Sequence, residues 1–403
     1  MPLPVLCGEV AFFKERETVF LTERLYDNGH IRQFEATVID CKETEKGFLV
    51  LLDRTAFFPA GGGQLADEGT LDGEKVYDVF EENGNIYHLT KAYFEKGKTV
   101  SGEIDWDVRF VRMQNHTGEH LVCGVAHSLY GCENTGFHMG TFGITADLSI
   151  LLNAEQVSEI ERLANKAVFE NVSVKVFYPD EAQMKTLDYR SKLDLTENVR
   201  LVEIEGYDLC ACCAPHVLNT GEIGMIKILE HSSNRGGTRL LIKCGYDAYE
   251  DYCRKAHSVA AVSASLCARQ DEIAQAVEAL KAEKAKLEYE IENIKKQSLQ
   301  KYISRLKATD GNACVFADEV DGDGLREIVN AGKTLCGGVF AAFTPDGNGY
   351  RYCIGSNTTD LRAFAKDFNS ALNGRGGGRP EMIQGSVSAS KEDILSFLKA
   401  QEQ

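Results

Sequence analysis

Four residues of this sequence have the side chains and the spacing of a metal site. His116 and His120 stand four positions apart, and Cys212 and His216 repeat that spacing about a hundred residues later. Three imidazoles and one thiolate form a ligand set that suits a borderline-soft ion such as zinc. The sequence therefore predicts one zinc ion per chain, held by these four residues.

The two pairs lie on different kinds of backbone. Apolar residues at helical spacing follow His120, so His116 and His120 are expected on one face of a helix. A proline between Cys212 and His216 interrupts any helix there and predicts a turn. The site must therefore form where a helix meets a distant loop.

The cysteine ligand has three candidates in this loop. Cys210 and Cys213 flank Cys212, but only Cys212 keeps the four-residue spacing to a histidine. The other two are expected to pack nearby or to support the ligands. His138 is a further candidate ligand, although a hydrogen-bonded structural histidine is the better interpretation.

The first pair also fits a competing interpretation. With Glu119 between its histidines it reads H-x-x-E-H, a zinc peptidase motif in which the glutamate is the general base. That scheme needs a third ligand, usually a downstream glutamate, and leaves Cys212 and His216 without a role. Gly118 inside the motif also disfavours a rigid catalytic helix. A zinc peptidase stays open as an alternative.

Length and composition define the class of protein. A chain of 403 residues predicts two to four domains, and 43% hydrophobic with 26% charged residues is typical of globular proteins. No run of eighteen apolar residues occurs, so no membrane span is expected. The thirteen cysteines form no disulfide-like framework and the N-terminal residues show no secretory signal, which predicts a cytoplasmic protein.

The net charge of −17 excludes a broad basic surface of the kind that binds nucleic acid without specificity. A local basic strip is still compatible with an RNA partner. Binding outside the specific contacts would then be weak and strongly dependent on salt.

We predict an α+β protein of four segments. Residues 1–97 contain short apolar runs between glycine and Asp/Asn turns, which predicts a β-barrel. Residues 98–247 combine helical and strand-like patterns and form the domain that carries the metal site. Residues 248–306 read as one long helix without proline or glycine, and residues 307–403 as a small α/β domain.

The long helix carries an apolar repeat of 3.5 residues, the period of a coiled coil. Its positions are Ile273, Val277, Leu280, Lys284, Leu287, Ile291 and Ile294. The repeat is compatible with a coiled coil between two chains, and so with a homodimer. Packing of the helix on its own domain explains the pattern equally well.

Two glycine-rich stretches lie outside the metal motifs. Gly61, Gly62 and Gly63 precede Gln64 and predict either a barrel corner or a close approach of backbone to a ligand. Near the C-terminus, glycines alternate with arginines over residues 374–380. This pattern predicts a turn whose amides and guanidinium groups face an anion, or else a flexible loop.

Taken in order, five stretches of the sequence resemble the alanyl-tRNA editing proteins, the stand-alone relatives of the editing half of alanyl-tRNA synthetase. The first stretch contains the three glycines and Gln64, and the second contains the helical histidine pair. The third is the Cys212 loop, and the fourth is the Thr-Gly-Glu-Ile-Gly stretch after it. The fifth resembles a DHH-associated domain. They cover residues 53–64, 112–121, 212–217, 220–224 and 376–384.

The resemblance implies a zinc-dependent hydrolase that removes a wrongly attached amino acid from tRNA-Ala, chiefly serine, with glycine as a second candidate. It implies that the zinc ligands His116 and His120 act in catalysis together with Thr55 and Gln64. The Thr55 hydroxyl would line the amino-acid pocket and pair with the serine hydroxyl. Gln64 and the three glycines before it would contact the terminal adenosine.

We further expect the arginines of the C-terminal stretch, Arg375 and Arg379, to contact the body of the tRNA. We expect deacylation without aminoacylation, because no ATP-dependent domain precedes the barrel and the sequence contains no Asp-His-His triplet. A tRNA-binding module with a purely structural zinc ion is the non-enzymatic alternative.

This sequence departs from the family pattern at two places. Asn115 stands where the family often has a histidine, and Ala214 and Pro215 stand where a Gly-Thr pair is common. Neither change removes a zinc ligand. Both are expected to alter the shape of the amino-acid pocket.

Overall fold

The computed structural model describes residues 21–140, 142–191, 199–318 and 320–401. The chain divides into two compact units, Met1–Val259 and Ala260–Gln403. The first twenty residues of the predicted barrel lie outside the described residues. The finer division into four segments stays a prediction.

A seven-stranded sheet forms the N-terminal part of the first unit. The strands of this region are β1 (Glu23–Arg24), β2 (Gln33–Thr44), β3 (Gly47–Leu52), β4 (Arg54–Thr55), β5 (Gly69–Leu71), β6 (Glu74–Val76), β7 (Asp78–Glu82), β8 (Asn85–Thr90) and β9 (Thr99–Ile104). In the sheet they follow the order β6-β5-β9-β2-β3-β8-β7, while β1 pairs with β4. Alternate side chains of β2 and β9 point into an apolar core.

The predicted barrel is present as a nearly closed sheet. Strand β6 lies against β8, although β6 and β7 are the two edges of the hydrogen-bonded order. Strand β9 pairs with β2 and β5, so the sheet continues beyond residue 97, where the sequence places its end. The alternating apolar residues of β9 explain this extension, because their inward face completes the core.

The remainder of the first unit packs helices on a second sheet. Its elements are α1 (Trp106–Tyr130), β10 (Asn134–Gly140), β11 (Gly143–Leu148), α2 (Ala154–Glu170), β12 (Val174–Phe177), α3 (Glu181–Met184), β13 (Leu201–Ile204), β14 (Asp208–Ala211), β15 (Ile226–Asn234) and β16 (Gly237–Cys244). The order β10-β11-β16-β15 forms one sheet, and β12-β13-β14 forms a smaller one. Helices α1 and α2 contact each other and share one apolar core with the sheets.

A buried ion pair joins helix α1 to the N-terminal sheet. The Arg109 Nε donates to Asp67 Oδ1 at 2.9 Å, and both side chains are fully buried. The same guanidinium donates to the carbonyl oxygens of Gly29 and Ala56 at 3.0 and 2.6 Å. Asp67 also accepts the backbone N–H of Phe58 at 2.6 Å. These bonds fix the start of helix α1, which carries His116 and His120, against the barrel.

The segment predicted as one long helix contains two. Helix α4 (Gly245–Leu266) ends at Cys267, and α5 (Ile273–Ser304) begins after a short 3-10 turn at Gln270–Glu272. Cys267 adopts a left-handed conformation with φ of 50°, and the Ala268 N–H bonds to the Ser263 carbonyl at 3.1 Å. This six-to-one bond ends the helix in the manner of a Schellman motif. The prediction of an unbroken helix is therefore wrong.

Helix α5 carries the 3.5-residue repeat on exposed surface. Its central positions are between 51% and 66% exposed at Leu280, Leu287, Ile291 and Ile294, and Lys284 among them forms an ion pair with Glu288 along the helix. A coiled coil or homodimer would cover these side chains, and both stay predictions.

The second unit ends in a mixed sheet with helices packed on it. Its elements are β17 (Ala313–Phe316), α6 (Gly322–Gly332), β18 (Val339–Asp346), β19 (Gly349–Ser356), α7 (Leu361–Ala371), β20 (Gly374–Arg379), β21 (Met382–Val387) and α8 (Lys391–Ala400). The order is β17-β18-β19-β21-β20, with only the β17–β18 pair parallel. The predicted turn over the Gly-Arg stretch is wrong, because these residues form edge strand β20.

Within the described ranges, no helix is long and apolar enough to cross a membrane. Every cysteine in those ranges is a free thiol.

We expect Asp67→Asn to destabilise the protein by about 3–5 kcal/mol, because it leaves the Arg109 guanidinium buried without a counter-charge. Denaturant unfolding measures the loss. Glu68→Gln is the matched control, since the Glu68 carboxylate is half exposed and pairs with Arg112 at 3.0 Å. A surface pair of this kind contributes less than about 1 kcal/mol. Equal unfolding midpoints for the two variants would contradict this account of the anchor.

Candidate metal centre

The four predicted ligands meet in the first unit. One donor atom from each of His116, His120, Cys212 and His216 lies within 4.8 Å of all the others. The Cys212 Sγ is 3.3 Å from His216 Nε2 and 3.5 Å from His116 Nε2. Helix α1 and the loop after β14 therefore supply two ligands each.

The spacing of these donor atoms fits a tetrahedral zinc ion. In a tetrahedral site, bond lengths of about 2.0 Å to nitrogen and 2.3 Å to sulfur place the two ligand atoms about 3.5 Å apart. The two sulfur–nitrogen distances in the structure, 3.3 and 3.5 Å, lie close to that value. The donor set and its geometry therefore suit zinc.

Helix α1 presents its two histidines on one buried face. The helix is capped by Asp105, whose side chain accepts the Val108 N–H at 3.3 Å. Gly118, which is unusual inside a helix, has a packing reason here. A β-carbon at this position would collide with the Cys244 Sγ of β16. The glycine thus lets helix α1, which carries two of the candidate ligands, lie directly on the sheet.

Each histidine is held in place through its second ring nitrogen. The Nδ1 of His116 lies 2.7 Å from the Gln64 side-chain oxygen, and the Nδ1 of His120 lies 3.2 Å from Asp208 Oδ2. The Nδ1 of His216 lies 3.0 Å from the Thr117 hydroxyl oxygen. Each of these oxygen atoms can accept a hydrogen bond from Nδ1–H. The lone pair of each Nε2 is then available to a metal.

A single arginine holds the cysteine loop. The Arg200 guanidinium donates to the carbonyl oxygens of Cys212 and Ala214 at 2.8 and 3.0 Å, and to Asp27 at 2.8 Å. In return, the Cys212 N–H donates to the Arg200 carbonyl at 3.1 Å. These bonds fix the backbone of the loop at Cys212 and Ala214.

The electrostatics favour a thiolate at Cys212. Burial opposes ionisation of the thiol, but the three surrounding imidazoles outweigh it and hold the Cys212 pKa well below its ordinary value. Burial lowers the pKa of His216 to about 3, so this imidazole is neutral and free to bind a metal.

The pKa of His120 moves in the opposite direction. Burial disfavours its charged form, but Cys210, Cys212 and Asp208 together raise the pKa well above its ordinary value. The surrounding residues therefore stabilise a positive charge on the His120 imidazole. A divalent cation can supply that charge in place of the proton.

A cavity of about 290 Å³ opens beside three of the four candidate ligands. Its lining includes His116, His120 and Cys212, together with Gly62 from the barrel loop, Phe137 and Glu119. Three arginines, Arg24, Arg190 and Arg200, also line it. The cavity thus combines candidate metal ligands with charged groups of both signs.

The barrel glycines approach the site from the opposite sheet. The Gly61 and Gln64 backbones bond to each other at 3.0 and 2.9 Å, which closes a tight turn. Gly63 has a φ of 86°, and a β-carbon there would collide with the Phe137 ring and carbonyl. Gln64 is buried, and the structure brings it to His116. Its predicted contact with an adenosine stays a prediction.

Thr55 lies inside the barrel. Its hydroxyl is fully buried, pairs with His88 Nε2 at 2.8 Å and accepts the Phe57 N–H at 3.1 Å. Burial lowers the pKa of His88 to about 4, so that ring is neutral. The residues that line the metal cavity do not include Thr55 within the described part of the chain. Its pairing with a serine substrate therefore stays a prediction.

The remaining candidates are two residues of the first unit and two arginines of the second. His138 is in strand β10 and is not a member of the ligand group. Cys210 lies beside His120 and Asp208 in a second cluster of possible donors. Arg375 and Arg379 are exposed on strand β20 of the other unit. Their predicted contact with tRNA stays a prediction.

Several site residues were missed by the sequence analysis. Thr117, Asp208 and Arg200 reach the ligands or their loop, and Arg190 holds Asp208 through two bonds at 2.7 and 2.8 Å. The only available signal was the position of Thr117 between the two helical histidines. The others become visible only when the chain is folded.

We expect Cys212→Ala to lose the metal, because the thiolate is the only anionic ligand of the quartet. Metal analysis of the purified variant measures this loss, from about one zinc per chain to nearly none. Cys213→Ala is the matched control, since Cys213 is the next residue and is not a member of the ligand group. Full metal content in Cys212→Ala, or its loss in Cys213→Ala, would refute this ligand assignment.

Three family models match parts of the sequence in order. The model of class II (A) tRNA synthetases matches residues 13–108. The model described as threonyl and alanyl tRNA synthetase second additional domain matches residues 199–242, which include the Cys212 loop. The DHHA1 domain model matches residues 310–403, in the second unit.

Known proteins match over long stretches. The alanyl-tRNA editing protein AlaX-L of Pyrococcus horikoshii is 26% identical over 407 residues, covering 93% of this chain and 97% of that protein. The alanine–tRNA ligase of Ignicoccus hospitalis is 30% identical over 327 residues, covering 77% of this chain and 36% of the ligase. The chain therefore spans about a third of the length of that ligase.

A crystal structure of the C-Ala domain of Aquifex aeolicus alanyl-tRNA synthetase matches 24% of this chain and 95% of that domain, at 19% identity. Its TM-score of 0.22 is too low to support a shared fold. Two findings carry more weight: the order of the three family models and the match along almost the whole length of an editing protein. Together they make the chain similar, over nearly its full length, to the alanyl-tRNA editing proteins.

Proposed function

We propose that this protein is a zinc-dependent deacylase that hydrolyses seryl-tRNA-Ala, with glycyl-tRNA-Ala as a second substrate. The observation that carries the proposal is the cluster of three histidines and one cysteine, of which His116, His120 and Cys212 line a cavity. It occurs in a chain that matches an alanyl-tRNA editing protein over 93% of its length. Removal of misplaced serine would protect the fidelity of translation.

The reaction is the hydrolysis of an activated ester. Water adds to the carbonyl carbon, the bond from that carbon to the ribose oxygen breaks, and the ribose oxygen leaves with a proton. The products are the free amino acid and the tRNA with its terminal hydroxyl restored. Because the ester is activated, the protein has to position water and stabilise the charge that develops on the carbonyl oxygen.

A zinc ion bound by His116, His120, Cys212 and His216 would supply electrophilic polarisation of the ester and fix its orientation. Four protein ligands form a closed site, which favours this role over the supply of a bound hydroxide. The protein residues then have to hold the substrate and the attacking water in place.

Gln64 is suited to a part in that task. Its side-chain oxygen pairs with His116, and its Nε2 is buried without a hydrogen-bond partner among the described residues. A buried donor without a partner costs about 1–3 kcal/mol. We therefore assign this N–H to a substrate oxygen, which would link the position of the ester directly to that of a metal ligand.

Arginines are suited to hold the RNA. Arg24, Arg190 and Arg200 line the cavity, while Arg375 and Arg379 are exposed on strand β20 of the other unit. The net charge of −17 makes nonspecific attraction of RNA unfavourable. Local guanidinium groups that pair with phosphates would therefore carry most of the contact with tRNA-Ala.

Deacylation assays test the proposed reaction. We expect the protein to hydrolyse seryl-tRNA-Ala at least about 100-fold faster than alanyl-tRNA-Ala, because a site that bonds the serine hydroxyl discriminates strongly. Cys212→Ala should abolish the activity, and Cys213→Ala should retain it. A metal-loaded protein that leaves both esters intact would contradict the proposal. Cleavage of a peptide substrate instead would support the zinc peptidase.

The role of the C-terminal arginines is tested by salt dependence. We expect the double variant Arg375→Ala/Arg379→Ala to raise KM for seryl-tRNA-Ala and to reduce the log–log salt slope by about 1.5, because each lost phosphate contact removes about 0.7–0.9. Arg362→Ala is the control, since Arg362 pairs with Asp360 on the same unit at 2.6 Å. An unchanged KM and salt slope in the double variant would exclude a tRNA contact at β20.

A further inference from the structure

One carboxylate beside the metal ligands lacks a cationic partner. The acidic side chains buried in the described residues are Asp67, Glu119 and Asp208, at 3%, 3% and 9% exposure. Asp67 is paired with Arg109 and Asp208 with Arg190. Glu119 forms no ion pair with any described residue. A buried carboxylate is costly without a counter-charge, so its retention here requires an explanation.

The partners of Glu119 are neutral hydrogen-bond donors. The Asn134 side-chain amide donates to Glu119 Oε1, and the Cys123 thiol donates to the same oxygen at 3.3 Å. These bonds fix the orientation of the carboxylate without neutralising its charge. They also leave Oε2 without a described hydrogen bond.

The carboxylate belongs to the wall of the metal cavity. Glu119 and Asn134 line that cavity together with His116, His120 and Cys212. Glu119 directly precedes His120 on α1 and follows His116 by three positions, which places it on the neighbouring part of the same helix face. A ligand held at the metal centre would therefore lie within reach of this negative charge.

The chemistry of an aminoacyl ester supplies the missing cation. Its α-ammonium group is attached one carbon away from the ester carbonyl, so a contact to the ammonium also fixes the carbonyl. An ester whose amino group is acylated has no such cation. The positive charge that the Glu119 carboxylate lacks is thus the feature that distinguishes aminoacyl-tRNA from peptidyl-tRNA.

We propose that Glu119 binds the α-ammonium group of the substrate and restricts the site to esters with a free amino group. This inference rests on the proposed deacylase function and adds a specificity-determining residue to it. The consequence is that the protein would spare peptidyl-tRNA and other N-acylated esters. The contact is an ion pair with charge-assisted hydrogen bonds, of the kind that discriminates strongly against analogues without the charge.

The test compares seryl-tRNA-Ala with N-acetylseryl-tRNA-Ala in the zinc-loaded protein. We expect the wild type to prefer the free amine by on the order of 100-fold in kcat/KM. Glu119→Gln should reduce that ratio to roughly tenfold or less, through a higher KM for seryl-tRNA-Ala, while N-acetylseryl-tRNA-Ala reacts as before. Glu133→Gln is the matched control, because Glu133 also lines the cavity but its side chain is 59% exposed.

Each outcome has a defined meaning. A wild type that hydrolyses both esters equally would overturn the inference and leave the deacylase function intact. An unchanged ratio in Glu119→Gln with full metal content would also overturn it, and would assign Glu119 to support of the fold. A wild type that hydrolyses neither ester would defeat the proposed function first, and the inference with it.

Glu119→Asp provides a second variant if Glu119→Gln loses metal or stability, since it keeps the charge and shortens the side chain. We expect it to retain most of the preference for the free amine. Inhibition of the wild type by L-serinamide but not by N-acetyl-L-serinamide gives the same answer without any substitution. Equal inhibition by the two amides would contradict an ammonium site.

Discussion

The interaction between Cys212 and the three histidines around it organises the first unit of this protein. These histidines hold the pKa of the Cys212 thiol well below its ordinary value. A thiolate at that position needs positive charge beside it, and a divalent cation can supply that charge in place of a proton. The helix and the loop that carry these side chains must therefore be held at a fixed separation.

The surrounding structure provides that separation from both sides. The Arg109–Asp67 pair fixes the start of α1 on the barrel, and Gly118 allows the helix to lie on the sheet. The Arg200 guanidinium fixes the cysteine loop by two carbonyl bonds. The barrel also supplies Gln64 to His116, so a hydrogen bond joins the glycine-rich turn to the candidate metal centre.

How much of this arrangement the sequence predicts depends on how far apart the interacting residues lie along the chain. The histidine pair depends on local periodicity, and it lies on one helix as the pattern indicates. The partners Asp208 and Arg200 join residues 88 and 12 positions apart, and no local pattern encodes such contacts. The break at Cys267 was missed because it contains neither glycine nor proline. The edge strand at Arg375 was missed because glycine runs usually indicate turns.

The central claim is that His116, His120, Cys212 and His216 hold one zinc ion. X-ray absorption at the zinc edge of the purified protein tests it most directly. The account predicts three nitrogen neighbours at about 2.0 Å and one sulfur neighbour at about 2.3 Å. Zinc without a sulfur neighbour, or with two, would contradict this ligand set, as would a protein that binds no zinc.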